Sequence, residues 1–407
     1  MAKIADVPQF GVLDGLKVFS AGTVIAQPWA AMLMAENGAT VVHSESSRAP
    51  DTLRSITFAA EQEHRNEIMM TLDIPSEEGR EIFFKMIKWA DIFMESSKGG
   101  TYAKWGLTDD VLWEVNPKLV IVHVSGFGQE GDPKYVTRAS YDAIGQAFGG
   151  FMYLNGMPDP NPPMRANPYT CDYVAALNAC WAALAAYIKA QKTGKGESID
   201  VAQFEVMMKI QCHYPMMFFN KDTQLERAGN ADPLFAGYSA YKCQDGNYVF
   251  LGVVGGGPMK RALPVLGLDG DPDFPDGIQI AYVGTPAGEK IEKAIQGFCD
   301  AHSAEEVDAM FLEAKVPCSV VMNYEMAQRN PHYIARETFI EWDDPVHGKV
   351  KGVGMVPKFK KNPGQIWRGA PSYNTDTADV LAELGYSADD IKALYEKKVI
   401  SNGRKKK

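Results

Sequence analysis

The 407-residue chain predicts an α/β fold, a Rossmann-like doubly wound large domain joined to a smaller α+β domain. Three observations predict it. Short β-branched apolar runs alternate with amphipathic stretches through the first half, the rhythm of a parallel sheet with crossover helices. Gln244-Asp245-Gly246-Asn247, between Tyr238-Ser239-Ala240-Tyr241-Lys242 and Tyr248-Val249-Phe250-Leu251, breaks that rhythm with the turn chemistry of a hairpin. The length also exceeds what one small core organises.

The elements follow in order. Residues 16–20 form a first strand, 28–36 a helix opened by Pro28 and closed by Asn37-Gly38, and 40–44 a second strand, which makes a βαβ unit. Strands at 68–72, 90–94 and 119–124 continue the sheet, with helices at 76–88 and about 109–114. The Ala-rich run at 173–188, within a helix expected over 173–190, is nearly free of charge and is flanked by Lys189 and Lys192, so it reads as a buried helix rather than a membrane span. After Thr193-Gly194-Lys195-Gly196 come a strand at 197–201 and one Met-rich helix over 203–218. The large domain is expected over 1–225, the small domain over 232–330 with a capping box at Ser303-Ala304-Glu305-Glu306, and a segment at 336–407 returning to complete the large domain.

Composition excludes several functions. A net charge of −10 invites neither nucleic acid nor an anionic membrane, and the basic run at 404–407 reads as a solvated tail. The six cysteines show no CxxC spacing, so neither a zinc site nor a disulfide frame is indicated; they read as reduced core residues of a cytoplasmic protein. No apolar stretch suited to a signal peptide follows Met1.

The candidate chemistry narrows quickly. A first strand followed by Glu45 offers an acid to a dinucleotide's ribose, but the turn at 20–28 holds one glycine, Gly22, where the fingerprint needs three. That turn is long and apolar, suited to an extended cofactor tail, and Glu45 reads as a strand-end acid that bonds locally. No Gly-x-Ser-x-Gly elbow occurs, and His43, His64, His123, His213, His302, His332 and His347 each stand alone without metal-ligand spacing. His43 and His123 fall in strand patterns as structural histidines.

Asp172 ends the loop Asn167-Pro168-Tyr169-Thr170-Cys171 at the mouth of the apolar helix. One reading is a helix-start acid favoured by the macrodipole. The other is a nucleophile held where water is scarce. A carboxylate with a reference pKa of about 3.9 is ionised at neutral pH and needs no base, only an acyl group activated in advance. Asp142, after Tyr141, opens another helix and has the same first-turn reading. Two glycine loops complete the set: 125–131 at the carboxyl end of a sheet strand, where open sheets bind ligands, and Gly255-Gly256-Gly257-Pro258, a ligand loop or a tight strand-to-helix turn.

Together Phe10-Gly11-Val12-Leu13-Asp14-Gly15-Leu16-Lys17-Val18, Asn116-Pro117-Lys118-Leu119-Val120-Ile121, Ser125-Gly126-Phe127-Gly128, Tyr141-Asp142-Ala143-Ile144-Gly145-Gln146-Ala147 and Thr193-Gly194-Lys195-Gly196-Glu197-Ser198-Ile199-Asp200-Val201 resemble the family III CoA-transferases. The likeness covers essentially the whole chain and extends to 357–369, where it is similar to the carnitine CoA-transferase branch. The resemblance implies a large domain built from both chain ends and two subunits interlocked as a homodimer. It places Asp172 at the catalytic aspartate and matches Lys98 and Lys104 to basic positions that contact CoA phosphates. Trp105 stands where the carnitine enzyme has Arg. Val24, Ile25 and Ala26 match the loop lining the pantetheine tail, and Tyr141, Asp142, Gly255, Gly256 and Gly257 are the candidate substrate contacts.

No tightly bound cofactor or metal is implied; coenzyme A and acyl-CoA are substrates. The sister branch, the 2-methylacyl-CoA racemases, sets a His where this chain has Ser140-Tyr141-Asp142, because removing an α-proton needs a base. The expectation is a transferase moving CoA from an acyl-CoA to a small carboxylic acid. A 2-hydroxy acid such as 2-hydroxyisocaproate suits the Met207-Met208 and Met216-Met217-Phe218-Phe219 clusters. A carnitine CoA-transferase, a racemase and a non-catalytic acyl-CoA-binding protein are the alternatives.

Overall fold

Six parallel strands carry the candidate site: β1 Lys17–Ala21, β2 Thr40–Ser46, β3 Ile68–Leu72, β4 Ile92–Glu95, β5 Val120–Ser125 and β6 Glu197–Ala202. The computed structural model describes residues 2–401, and the basic run at 404–407 lies outside them. The sheet order is β3-β2-β1-β4-β5-β6, so the direction of winding reverses between β1 and β4. Loops leaving the carboxyl ends of strands at such a switch point enclose a crevice. Strands β3, β4 and β5 are buried along their whole length, and apart from Thr71, Glu95, His123 and Ser125 their sequences run apolar without alternation because both faces are covered.

This sheet belongs to the first of two compact units, formed by Met1–Phe151, Asn167–Gln211 and Glu337–Lys407. Its helices are α1 Ala26–Glu36, α2 Ala59–His64, α3 Glu77–Trp89, α4 Thr101–Lys104, α5 Asp109–Val115, α6 Pro133–Val136, α7 Asp142–Phe148, α8 Thr170–Thr193 and α9 Gln203–Lys209. On one face Phe19, Phe83 and Phe93 meet at centroid distances of 5.3–5.8 Å. On the other, Ala175, Ala176, Ala179 and Ala183 of α8 share a core with Ala30, Ala31 and Ala35 of α1, small side chains that let two backbones approach closely. By length and composition α8 is apolar enough to cross a membrane. Its alanine face is buried, whereas Leu177, Trp181 and Ile188 are exposed, so it is a core helix on one side only.

The carboxyl-terminal segment supplies the antiparallel pair β10 Phe339–Asp344 and β11 Gly348–Val353, then helices Thr377–Glu383 and Ala388–Glu396, the last opened by a Ser387–Asp390 capping box. Asp376, fully buried, accepts hydrogen bonds from Ala2 N at 2.7 Å and Met69 N at 2.9 Å and pairs with Arg368 at 3.1 Å.

The Met-rich segment read as one helix is two, α9 and α10 Tyr214–Lys221. Cys212 breaks it in the left-handed region at φ 56°, and Pro215 fits only the first turn of a new helix. The second unit comprises Met152–Ala166 and Cys212–Arg336, its longer segment starting at this break, where the sequence reading places a small domain over 232–330. Residues 152–166 join it because buried Arg227 pairs with Asp159 and donates to Met157 O at 3.1 Å. A three-stranded antiparallel sheet, β7 Tyr238–Lys242, β8 Tyr248–Gly252 and β9 Cys318–Val320, packs there with α11 Gly256–Val265, α12 Pro286–Ala301 and α13 Ala304–Glu313 around Val249, Leu251, Ile291, Ile295 and Phe311.

Candidate active site

Asp172 is the third residue of α8 and is 5% exposed. A first-turn acid normally satisfies the amides of its own helix. Here Asp142, at the start of α7, does so instead: its Oδ1 accepts from Cys171 N at 2.7 Å and Asp172 N at 3.4 Å, while Gln146 Nε2 donates to its Oδ2 at 2.8 Å. Gly145 permits this approach, since a Cβ there would lie 2.5 Å from Cys171 Sγ. The helix-start role therefore falls to Asp142, and the Asp172 carboxylate is left for other work. Gln203 Nε2 donates to Asp172 Oδ1, and Ser140 Oγ donates to Gln203 Oε1 at 3.1 Å.

Burial pushes the Asp172 carboxyl up to about 7, the Asp142 charge adds to the rise, and the Gln203 donor opposes it. Acid and carboxylate are then both populated near neutrality, within reach of small changes in environment.

Val24, Ile25, Ala26, Ser96, Gly126, Ser140, Tyr141, Asp172 and Gln203 line one cavity of about 110 Å³. Val24 lies at φ 67°, a left-handed conformation that a β-branched residue adopts only under constraint. Asp51 Oδ2 holds it by accepting from Val24 N at 2.6 Å, and Thr23 N donates to Ser96 Oγ at 3.0 Å. Gly126 is required here because a Cβ would sit 2.1 Å from that of Ser140. The structure thus brings Val24, Ile25, Ala26, Tyr141 and Asp172 together, whereas Gly255, Gly256 and Gly257 lie in the second unit at the start of α11.

A groove of about 290 Å³ follows the carboxyl ends of β1 and β2, lined by Glu45, Arg48, Asp73, Ser97, Tyr102 and Trp105 among others. Lys98 and Lys104 are exposed and are not among its lining residues. Its cation is Arg48, paired with Asp73 at 2.9 Å, which sequence reasoning missed although it follows a strand end directly. Glu45 bonds locally, accepting from Asp51 N at 2.8 Å and Arg54 Nε at 2.7 Å. His123 lies between Glu95 at 2.7 Å and Asp109 at 3.0 Å; burial alone would lower its pKa, but the two carboxylates raise it to about 10.

The histidines do not all stand alone. The fold brings together fully buried His43, His64 and Glu67, a set with metal-ligand atoms in reach of one another. His43 Nδ1 bonds Ser20 Oγ at 2.7 Å and His64 Nδ1 bonds Glu67 Oε2 at 2.8 Å, while His43 Nε2, His64 Nε2 and Glu67 Oε1 are buried without a hydrogen-bond partner among the described residues. Burial and the Arg54 charge hold His43 down at about 3, and the same guanidinium opposes a bound cation. Glu63, hydrogen-bonded by Tyr173 Oη at 3.0 Å, is pushed to about 8 by burial, with the Asp172 charge contributing. Gln203 and Glu63 were not singled out from sequence. Gln203 carried one signal, its place at the carboxyl end of a sheet strand.

Residues 13–377 match CoA-transferase family III. The chain is 48% identical over 388 residues to the bile acid CoA-transferase BaiK of Clostridium scindens, covering 94% of this chain and 88% of that protein. The crystal structure of a CaiB/BaiF family protein from Brucella suis superposes with a TM-score of 0.77 at 26% identity, over 92% of this chain and 100% of that one. Rv3272 of Mycobacterium tuberculosis, at 18% identity and a TM-score of 0.77 over 91% and 99% of the two chains, shares the fold. The chain belongs to CoA-transferase family III, enzymes whose substrates are CoA thioesters.

Proposed function

We propose that the chain moves CoA from an acyl-CoA to a carboxylic acid through covalent intermediates on Asp172. The observation that carries this reading is a buried carboxylate relieved of its helix-start role by Asp142 and set in the cavity under Val24, Ile25 and Ala26. Ionised Asp172 attacks the thioester, giving an aspartyl mixed anhydride and CoA thiolate. The thiolate attacks the aspartyl carbonyl, forming an aspartyl-CoA thioester and releasing the donor acid. The acceptor's carboxylate displaces CoA as a second anhydride, and CoA attacks the acceptor's acyl carbon to leave as the new thioester and restore Asp172. Burial keeps water from the anhydrides. The groove at Arg48 and Trp105, with exposed Lys98 and Lys104 next in sequence to its lining residues Ser97 and Trp105, is the proposed path of the CoA nucleotide.

The acceptor proposed is an acid with an apolar body, of which 2-hydroxyisocaproate is a compact case. The relative named for bile acids favours a second, larger acid of the same polarity. The proposed interlocked homodimer is supported by the exposed apolar side chains Leu177, Trp181 and Ile188 on α8. No histidine is among the described residues lining the Asp172 cavity, which favours transfer over racemisation.

Incubation with one acyl-CoA and a panel of acids, with products read by mass, tests the reading. New CoA esters are expected only when an acid is added, with apolar 2-hydroxy or bile acids ahead of carnitine. Deuterium uptake at Cα in D₂O without any acceptor would assign the chain to racemisation instead.

A further inference from the structure

We propose that Gln203 is a further catalytic residue, the donor that stabilises the oxyanion formed each time the aspartyl carbonyl of Asp172 is attacked. The inference rests on Asp172 as nucleophile and adds a division of labour between its two oxygens. Gln203 Nε2 donates to Oδ1, so Oδ2 is the oxygen available to attack the thioester. Oδ2 becomes the bridging atom of the anhydride, and Oδ1 becomes the carbonyl oxygen. When CoA thiolate attacks that carbon, the C–S bond forms, charge gathers on Oδ1, and the carbon–Oδ2 bond then breaks as the donor acid leaves with Oδ2. Throughout, the same N–H faces Oδ1 as it passes from carboxylate to carbonyl to oxyanion. A donor already in place where charge develops needs no reorganisation during the step.

The side chain is held for this task. Gln203 is 7% exposed at the junction of β6 and α9, so its backbone is fixed by the sheet. An amide has two orientations, and the reversed one would set Oε1 against Oδ1, acceptor against acceptor. The Ser140 hydroxyl donates to Oε1 at 3.1 Å and holds it away from Asp172. The two attacks on substrate acyl carbons place charge on a substrate oxygen instead. Gln203 therefore separates the steps of the cycle: it serves attack at the aspartyl carbon and not attack by the aspartate.

Gln203→Met, close in length but without a donor, and Gln203→Leu, shorter and likewise apolar, separate these steps. Enzyme is mixed with acyl-CoA and no acceptor, CoA thiol release is followed with a thiol-reactive dye, and the enzyme–CoA thioester is followed by intact mass after acid quench. At a pH well above 7, where Asp172 is ionised with or without the donor that lowers its pKa, thiol release is expected to stay within about threefold of wild type while formation of the thioester falls about 10²-fold, the loss typical of one oxyanion donor. Ser140→Ala should slow the same step by less. Equal slowing of both steps, or of neither, in whichever of the two Gln203 variants folds, would overturn the proposal. Absence of a CoA adduct at Asp172 in the wild-type enzyme would remove the nucleophile reading itself, a separate outcome.

Discussion

Replacing Asp172 with Asn should give a protein that is inactive yet more stable, with a stability gain that grows with pH. The carboxyl is raised from 3.8 to about 7, chiefly by burial and then by the Asp142 charge. Between those values the folded state keeps a proton that the unfolded chain has lost, so this group makes stability fall as pH rises through the window. Below about pH 4 both states are protonated and the effect vanishes. Roughly three units at 1.36 kcal/mol each set an upper bound of about 4 kcal/mol, fully expressed above about pH 7. Asn carries no such penalty and still offers Gln203 an acceptor at Oδ1. Denaturant unfolding of both proteins at about pH 5 and about pH 8 measures the effect, with transfer assayed alongside. The variant should gain about 1.6 kcal/mol at the lower pH, somewhat under half the gain at the higher, while transfer falls by several orders of magnitude. A stability difference equal at the two pH values, or transfer above about a tenth of wild type, would refute the reasoning.

Transfer by the wild-type enzyme should rise with pH through a midpoint of about 7, and Asp142→Asn, which removes the like charge while keeping an acceptor for Cys171 N, should move that midpoint down in kcat/KM profiles. Neutralising Arg48, Lys98 or Lys104 should raise KM for acyl-CoA with kcat nearly unchanged, because such contacts are the same in ground and transition states; equal KM values for CoA and truncated pantetheine esters in the wild type would count against a CoA role. His123→Leu strands the buried Glu95 carboxylate and should destabilise the protein by about 3–5 kcal/mol in denaturation. The wild-type imidazolium's contribution is fully present below its unfolded pKa and should fade as pH rises through about 10.

The sheet was legible because burial on both faces leaves a short apolar run without alternation, as in Ile68-Met69-Met70 of β3, that few other structures explain. Asp172 was legible because a lone carboxylate before an apolar helix is locally conspicuous. Gln203 was not, since its partner lies 31 positions away and its role exists only once β6 and α8 adjoin. His43 and His64 meet with ring centroids 4.5 Å apart for the same reason: spacing rules see ligands on one helix, not a strand residue and a helix residue folded together. The break at Cys212 was hidden because the methionines on either side keep a helical period, and a left-handed backbone angle leaves no mark in side-chain polarity. Lys98 and Lys104 were found by likeness to other sequences, whereas Arg48 became visible only when the groove closed around it.

Asp376 bears on the order in which the protein is made. It binds the amide of Ala2 and that of Met69 in the edge strand β3, which precede it in the chain by 374 and 307 positions. Until residue 376 is made, β3 has its pairing with β2 but lacks the bond from Asp376 to Met69 N, and Ala2 N lacks its acceptor. All of the second unit, ending at Arg336, has by then been synthesised. The segment at 376 thus acts as a latch on residues 2 and 69, closing a long loop of chain with two backbone hydrogen bonds that no earlier residue supplies.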